Sequence, residues 1–217
     1  MLNEENQTAE QEPTRKSPDK SSVPLGRRVW LELKDMLAGV AFPLIISVVL
    51  SSTVILGADY TDDIAVSIIA LIGGEIMLIA ALIMFGRANG TAAYDKTLSN
   101  AQKRGLGATD ERVVCGTGEY AIWKSLTIAL IMSAPFIIFQ IIELCYHTDF
   151  TTFCLKYVFG WAYYPFSYLG EGYQSLNFLM LIIPFGAHTL GYYLGKQRRI
   201  KIQEYREKEA GGKRRKK

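Results

Sequence analysis

The stretch Ile64–Phe85, IAVSIIALIGGEIMLIAALIMF, sets what this chain can become. Its 22 residues hold one ionisable group, Glu75, near the centre. As a helix it runs roughly 33 Å, enough to cross a hydrocarbon core of about 30 Å. Inside lipid a segment must satisfy its own backbone polar groups, which a helix does. Three more stretches share this character, at about residues 36–57, 122–142 and 175–195. The expected fold is therefore an all-α membrane protein with four transmembrane helices. Residues 26–195 form the membrane domain, and residues 64–85 form its second span.

The polar ends frame that domain. Residues 1–25 carry Glu, Gln, Ser, Pro and Lys with little to bury, so they read as a disordered tail. Gly26–Asp35 is basic and amphipathic and leads into the first span, with Trp30 suited to the headgroup zone. The link Ala58–Asp63 is so short that spans one and two must be an antiparallel hairpin. Thr91–Arg104 places Tyr94, Leu98 and Ala101 at helical spacing, and Gly105 and Gly107 end it. This predicts a short amphipathic helix lying against the bilayer or the bundle. Gly116–Glu119 reads as a turn. Residues 196–217 form a strongly basic tail whose first part has helical propensity.

Charge orients the spans. With four crossings, 23 of the 24 Lys and Arg fall on one side, and only Lys156 falls on the other. By the positive-inside rule both termini, the amphipathic helix and the basic tail are cytoplasmic. The Asn6 and Asn89 glycosylation motifs then face the cytoplasm and stay bare. Phe153–Leu169 is aromatic but contains Lys156 and Pro165, and a fifth crossing would reverse the basic tail. It is expected as an interfacial or re-entrant segment on the outer face, with Tyr157, Trp161, Tyr163, Tyr164 and Tyr168 at the headgroups. The cell membrane is the expected location.

Several residues are candidates for a site. A carboxyl at mid-span costs about 2.5–3.5 kcal/mol on insertion scales, so Glu75 should face the interior. It lies 11 residues from the outer end of its span, and His188 lies 13 from the outer end of the fourth. These intervals correspond to roughly 16 and 20 Å, so the two are expected as an intramembrane polar pair. That pair serves either a proton or cation relay or plain helix packing. Gly73, Gly74, Gly191 and Gly195 are small enough to mark helix-packing faces or a dimer seam. Pro43, Pro135 and Pro184 are expected to kink their helices. Cys145 and Cys154 fall on the outer side and would form a disulfide if that side is oxidising.

The chain holds no Cys-x-x-Cys, HExxH, Gly-x-Ser-x-Gly or Walker pattern. The expectation is a protein that is not an enzyme, with no cofactor, no metal and no nucleic-acid partner. Its partners are the bilayer, with anionic lipid at the basic termini, and other membrane subunits or a second copy. The function read from this is a non-catalytic accessory, regulatory or assembly subunit of a membrane complex. The alternative is a small oligomeric transporter or channel that uses Glu75 and His188 for proton or cation coupling.

Overall fold

A computed structural model of the chain describes residues 23–59, 64–167 and 171–214. The expectations for the N-terminal tail through residue 22, for most of the 58–63 link, for Tyr168 and for the last three residues lie outside these. Every regular element among the described residues is helical. In order they are α1 (Leu25–Asp59), α2 (Ile64–Gly105), α3 (Glu111–Cys115), α4 (Ile122–Tyr146), α5 (Asp149–Val158), α6 (Gly160–Ser167), a 3₁₀ stretch (Glu171–Leu181) and α7 (Ile182–Arg214). Four helical rods, α1, α2, α4 and the 3₁₀–α7 unit, are long and apolar enough to cross a membrane. Large apolar side chains remain exposed along them, including Ile69, Ile72, Ile76 and Met84 of α2. A bundle that turns isoleucine outward in this way is suited to lipid as its solvent. The chain is an integral membrane protein.

Two expectations for α2 are corrected. The link after Phe85 is not a break: α2 runs on through Gly86 and Gly90 to Gly105, 42 residues in all. At 1.5 Å per residue it is about 63 Å long, so roughly half projects beyond a bilayer core. The amphipathic segment is thus a continuation of the span, not a separate helix. Its buried side is Gly86, Gly90, Ala93 and Asn100, whereas Leu98 and Ala101 are exposed. Small residues, not bulky ones, decide which face packs here.

The reason is the crossing of α2 with α7, the most extensive helix interface among the described residues. A Cβ added at Gly86 would lie 2.2 Å from the His188 carbonyl oxygen, and one at Gly90 would lie 2.0 Å from that of Tyr192. From the other side, a Cβ at Gly191 would lie 2.2 Å from the Ile83 oxygen, and one at Gly195 would lie 2.3 Å from that of Arg87. Two small-xxx-small patterns therefore interlock within one chain. Gly191 and Gly195 pack inside the molecule, not at a dimer seam. Gly73 meets nothing within 4 Å, so it marks no internal packing face.

The aromatic segment after span three forms α5 and α6, and their residues enter the core: Leu155 and Ala162 are fully buried, and Phe159, Trp161 and Tyr164 nearly so. Phe136 of α4 sits among them, with ring centroids 6.0 Å from Phe159 and 5.7 Å from Trp161. Thr148 caps α5 through a reciprocal box with Thr151. Of the five predicted headgroup aromatics, Trp161 and Tyr164 are core residues, and Tyr157 and Tyr163 are half-buried.

The prolines fall inside helices as expected, but Pro184 is the third residue of α7, where the 3₁₀ stretch gives way to α-helix. Cys115, Cys145 and Cys154 are all free thiols. Cys145 is exposed and Cys154 is buried against the core, so the two sulfurs occupy different surroundings.

Candidate functional site

Most of the bundle's ion pairs gather at one end, where α1 begins, α4 begins, and α2 and α7 run past them. A cavity of about 220 Å³ opens there. Asp35, Gly39, Asn89, Lys96, Lys124 and Tyr192 line it. Its charges come as pairs. Lys124 Nζ lies 2.8 Å from a Glu32 carboxylate oxygen, and this cation is almost wholly buried. Lys96 pairs with Asp35. Just outside, Arg104 binds Glu119 at 2.5 Å and Arg199 binds Asp95 at 2.6 Å. Each pair ties two different segments together.

The turn between α3 and α4 shapes the rim. Gly116 and Gly118 sit at φ 70° and 74°, the left-handed region that glycine enters without strain. A side chain at Gly118 would also strike Asp35 and Lys96 at 2.8 Å, so the turn lies directly over their ion pair. Next to it Tyr120 stacks on Tyr192, with ring centroids 4.8 Å apart, and Lys196 sits 4.7 Å above the Tyr120 ring. Burial raises the Tyr120 phenol above its ordinary value, and nearby Tyr193 raises it further.

Behind the cavity lies a hydrogen-bond chain that joins all four rods. Pro43 has no N–H, so it leaves the Gly39 carbonyl, four residues earlier, without its helical donor. The Asn89 side-chain amide of α2 supplies one, at 3.4 Å. The same nitrogen lies 3.3 Å from His188 Nε2. Since the amide donates, Nε2 accepts, and the proton of the neutral ring sits on Nδ1. Nδ1 then donates to Ser125 Oγ at 2.8 Å, and Ser125 donates to Thr189 Oγ1 at 3.3 Å. One line of donors and acceptors thus runs α1–α2–α7–α4. His188 has no exposed surface, and both its nitrogens are engaged.

The Glu75–His188 pair is therefore corrected. His188 packs at the level of Gly86, 11 residues or about 16 Å along α2 from Glu75. The depth matching failed partly because Glu171–Leu181 is 3₁₀, with a rise of about 2.0 Å per residue in place of 1.5 Å. That lengthens the fourth rod above His188 and pushes the ring away from the outer end. Glu75 meets a different setting. It is half-buried, and its Oε2 is buried with no hydrogen-bond partner among the described residues.

Sequence reasoning missed three other features. Asn89 stood out only in a glycosylation motif, yet it is the joint of the network. Glu143 lies just past the span expected at about 122–142, but it falls in the last turns of α4. There it accepts from Thr151 and from Thr152 (2.7 Å) and faces His147 Nδ1 at 2.8 Å. Gln140 and Asn177 pair at 3.2 Å between α4 and the 3₁₀ stretch. A signal existed for the last of these, since each is a lone amide in an apolar run, and such groups need partners in lipid. No known protein family matches this sequence, and neither a characterised protein nor a solved structure shows significant similarity to it.

Proposed function

We propose that this chain is a non-catalytic accessory or assembly subunit of a larger membrane complex, with both termini on the cytoplasmic side of the cell membrane. Glu75 carries the reading. A mid-span carboxyl is expensive in lipid, and membrane proteins offset the cost by pairing it. Here its buried Oε2 has no hydrogen-bond partner among the described residues, while Ile72 and Ile76 of the same helix turn outward. A neighbouring transmembrane helix with a donor or cation at that depth would satisfy it. The ion pairs around the cavity support the same reading: charged groups there are committed to holding helices together, as in a scaffold.

Affinity capture of the tagged full chain in a mild detergent tests this. A stoichiometric membrane partner should co-purify, and Glu75→Leu should release it while the chain itself stays folded. A lone, monodisperse chain that carries a pH-dependent flux in proteoliposomes, lost in Glu75→Gln, would replace this reading with transport.

A further inference from the structure

On the outer side of the α2–α7 crossing lies a second, more open groove of about 490 Å³. Met84, Arg87, Thr91, Asp95 and Arg198 line it. Arg87 and Arg198 are exposed, and neither makes an ion pair among the described residues. The groove's one carboxylate, Asp95, is already neutralised by Arg199 at 2.6 Å. Thr91 is used within the fold, donating to the Arg87 and Gly195 carbonyls. Two guanidiniums therefore converge on one concavity with net positive charge to spare.

Their depth and surroundings say what would fill it. Arg87 comes 23 residues after the start of α2, about 35 Å along the rod, where a hydrocarbon core of about 30 Å has just ended. Directly along the same face of α2 run Met77 and Met84, both exposed. Along α7, at four-residue steps toward Arg198, run Leu190 and Leu194, also exposed. From Met77 to Arg87 is ten residues, roughly 15 Å, the thickness of one leaflet's hydrocarbon. Two apolar stripes thus lead down a single leaflet to a pair of arginines.

We infer that the Arg87–Arg198 groove binds the phosphate headgroup of one anionic phospholipid, whose acyl chains lie on the Met77–Met84 and Leu190–Leu194 stripes. Guanidinium offers two parallel N–H donors to a phosphate, and a basic recess between transmembrane helices is the form such sites take. The inference uses the membrane reading but not the identity of any partner at Glu75.

The test is native mass spectrometry of the full chain in neutral detergent, titrated with phosphatidylglycerol or with phosphatidylcholine. The wild type should retain one phosphatidylglycerol at concentrations where phosphatidylcholine is lost. Arg87→Gln with Arg198→Gln should weaken that retention by tenfold or more. The charge-matched Arg206→Gln with Lys208→Gln should leave it unchanged. Both variants change exposed side chains, and an unaltered melting temperature verifies their folding. Equal losses in the two double variants would reduce the effect to diffuse charge and overturn the site. Displacement of the lipid by equimolar soluble glycerol phosphate would also overturn it, since it would show a phosphate site indifferent to acyl chains.

Discussion

Replacing Gly191 by alanine should damage this protein far more than replacing Gly73, although both changes add one methyl group to a membrane helix. At Gly191 the new Cβ would lie 2.2 Å from the Ile83 carbonyl oxygen. No real Cβ approaches such an atom closer than 3.0 Å, so α2 and α7 must part by about 1 Å in a tightly packed crossing. Overpacking of this kind costs about 1–3 kcal/mol. Parting the helices also stretches the 3.3 Å contacts of Asn89 with His188 and of Thr91 with Gly195 beyond hydrogen-bonding range. Each adds about 1 kcal/mol, for a total of about 3–5 kcal/mol. For a chain of this size that corresponds to a fall in Tm on the order of 10 °C. Gly73 meets nothing within 4 Å, and alanine there gains up to about 1 kcal/mol of helix propensity. Thermal unfolding of purified variants in one detergent reads the difference. If Gly191→Ala melts within about 2 °C of Gly73→Ala, the helices do not cross at glycine and the register of α2 on α7 is wrong.

Asn89→Ala strands both the Gly39 carbonyl and His188 Nε2, so it should destabilise by about 2–4 kcal/mol, and a double-mutant cycle with His188→Ala should show strong coupling; additive losses would break the chain at that link. At the Glu32–Lys124 pair, Glu32→Gln should cost about 3 kcal/mol and Lys124→Met less, because the stranded lysine is the more buried partner; the reverse order in thermal melts would contradict the geometry. With the Cys115→Ser background, maleimide should label Cys145 quickly and Cys154 slowly. Cys154 is buried, and burial raises its thiol so that less reactive thiolate forms near neutral pH. Comparable rates would place Cys154 at the surface.

The four rods were legible because lipid imposes a requirement that a single sequence can display: some twenty apolar residues in a row. What the sequence hid is how the rods meet. The run Gly86-x-x-x-Gly90 follows Phe85, where apolar character fades and the expected span ends. Its glycines instead lie against the α7 backbone with no room for a Cβ, and glycine allows this by contributing nothing that hydropathy can register. The aromatic segment was ambiguous for the complementary reason. Tyrosine and tryptophan suit both headgroups and a core, and only the rings packed around Phe136 show which of them the bundle buries.

The site shows the same limit more sharply. Glu75 and His188 were found because each is a polar residue in an apolar run, yet polarity alone does not name a partner. The partner of His188 was selected by Pro43. By withholding an N–H, that proline leaves a carbonyl on α1 that needs a donor from another helix, and Asn89 can give to it and to the imidazole at once. A proline, an asparagine and a histidine on three different rods are therefore one device, and a linear reading meets them as a kink, a glycosylation motif and a lone ring. Glu75 is left as the mid-span group that this device does not reach. Its Oε2 is buried with no hydrogen-bond partner among the described residues, and it is on this atom that the proposal of a second polypeptide rests.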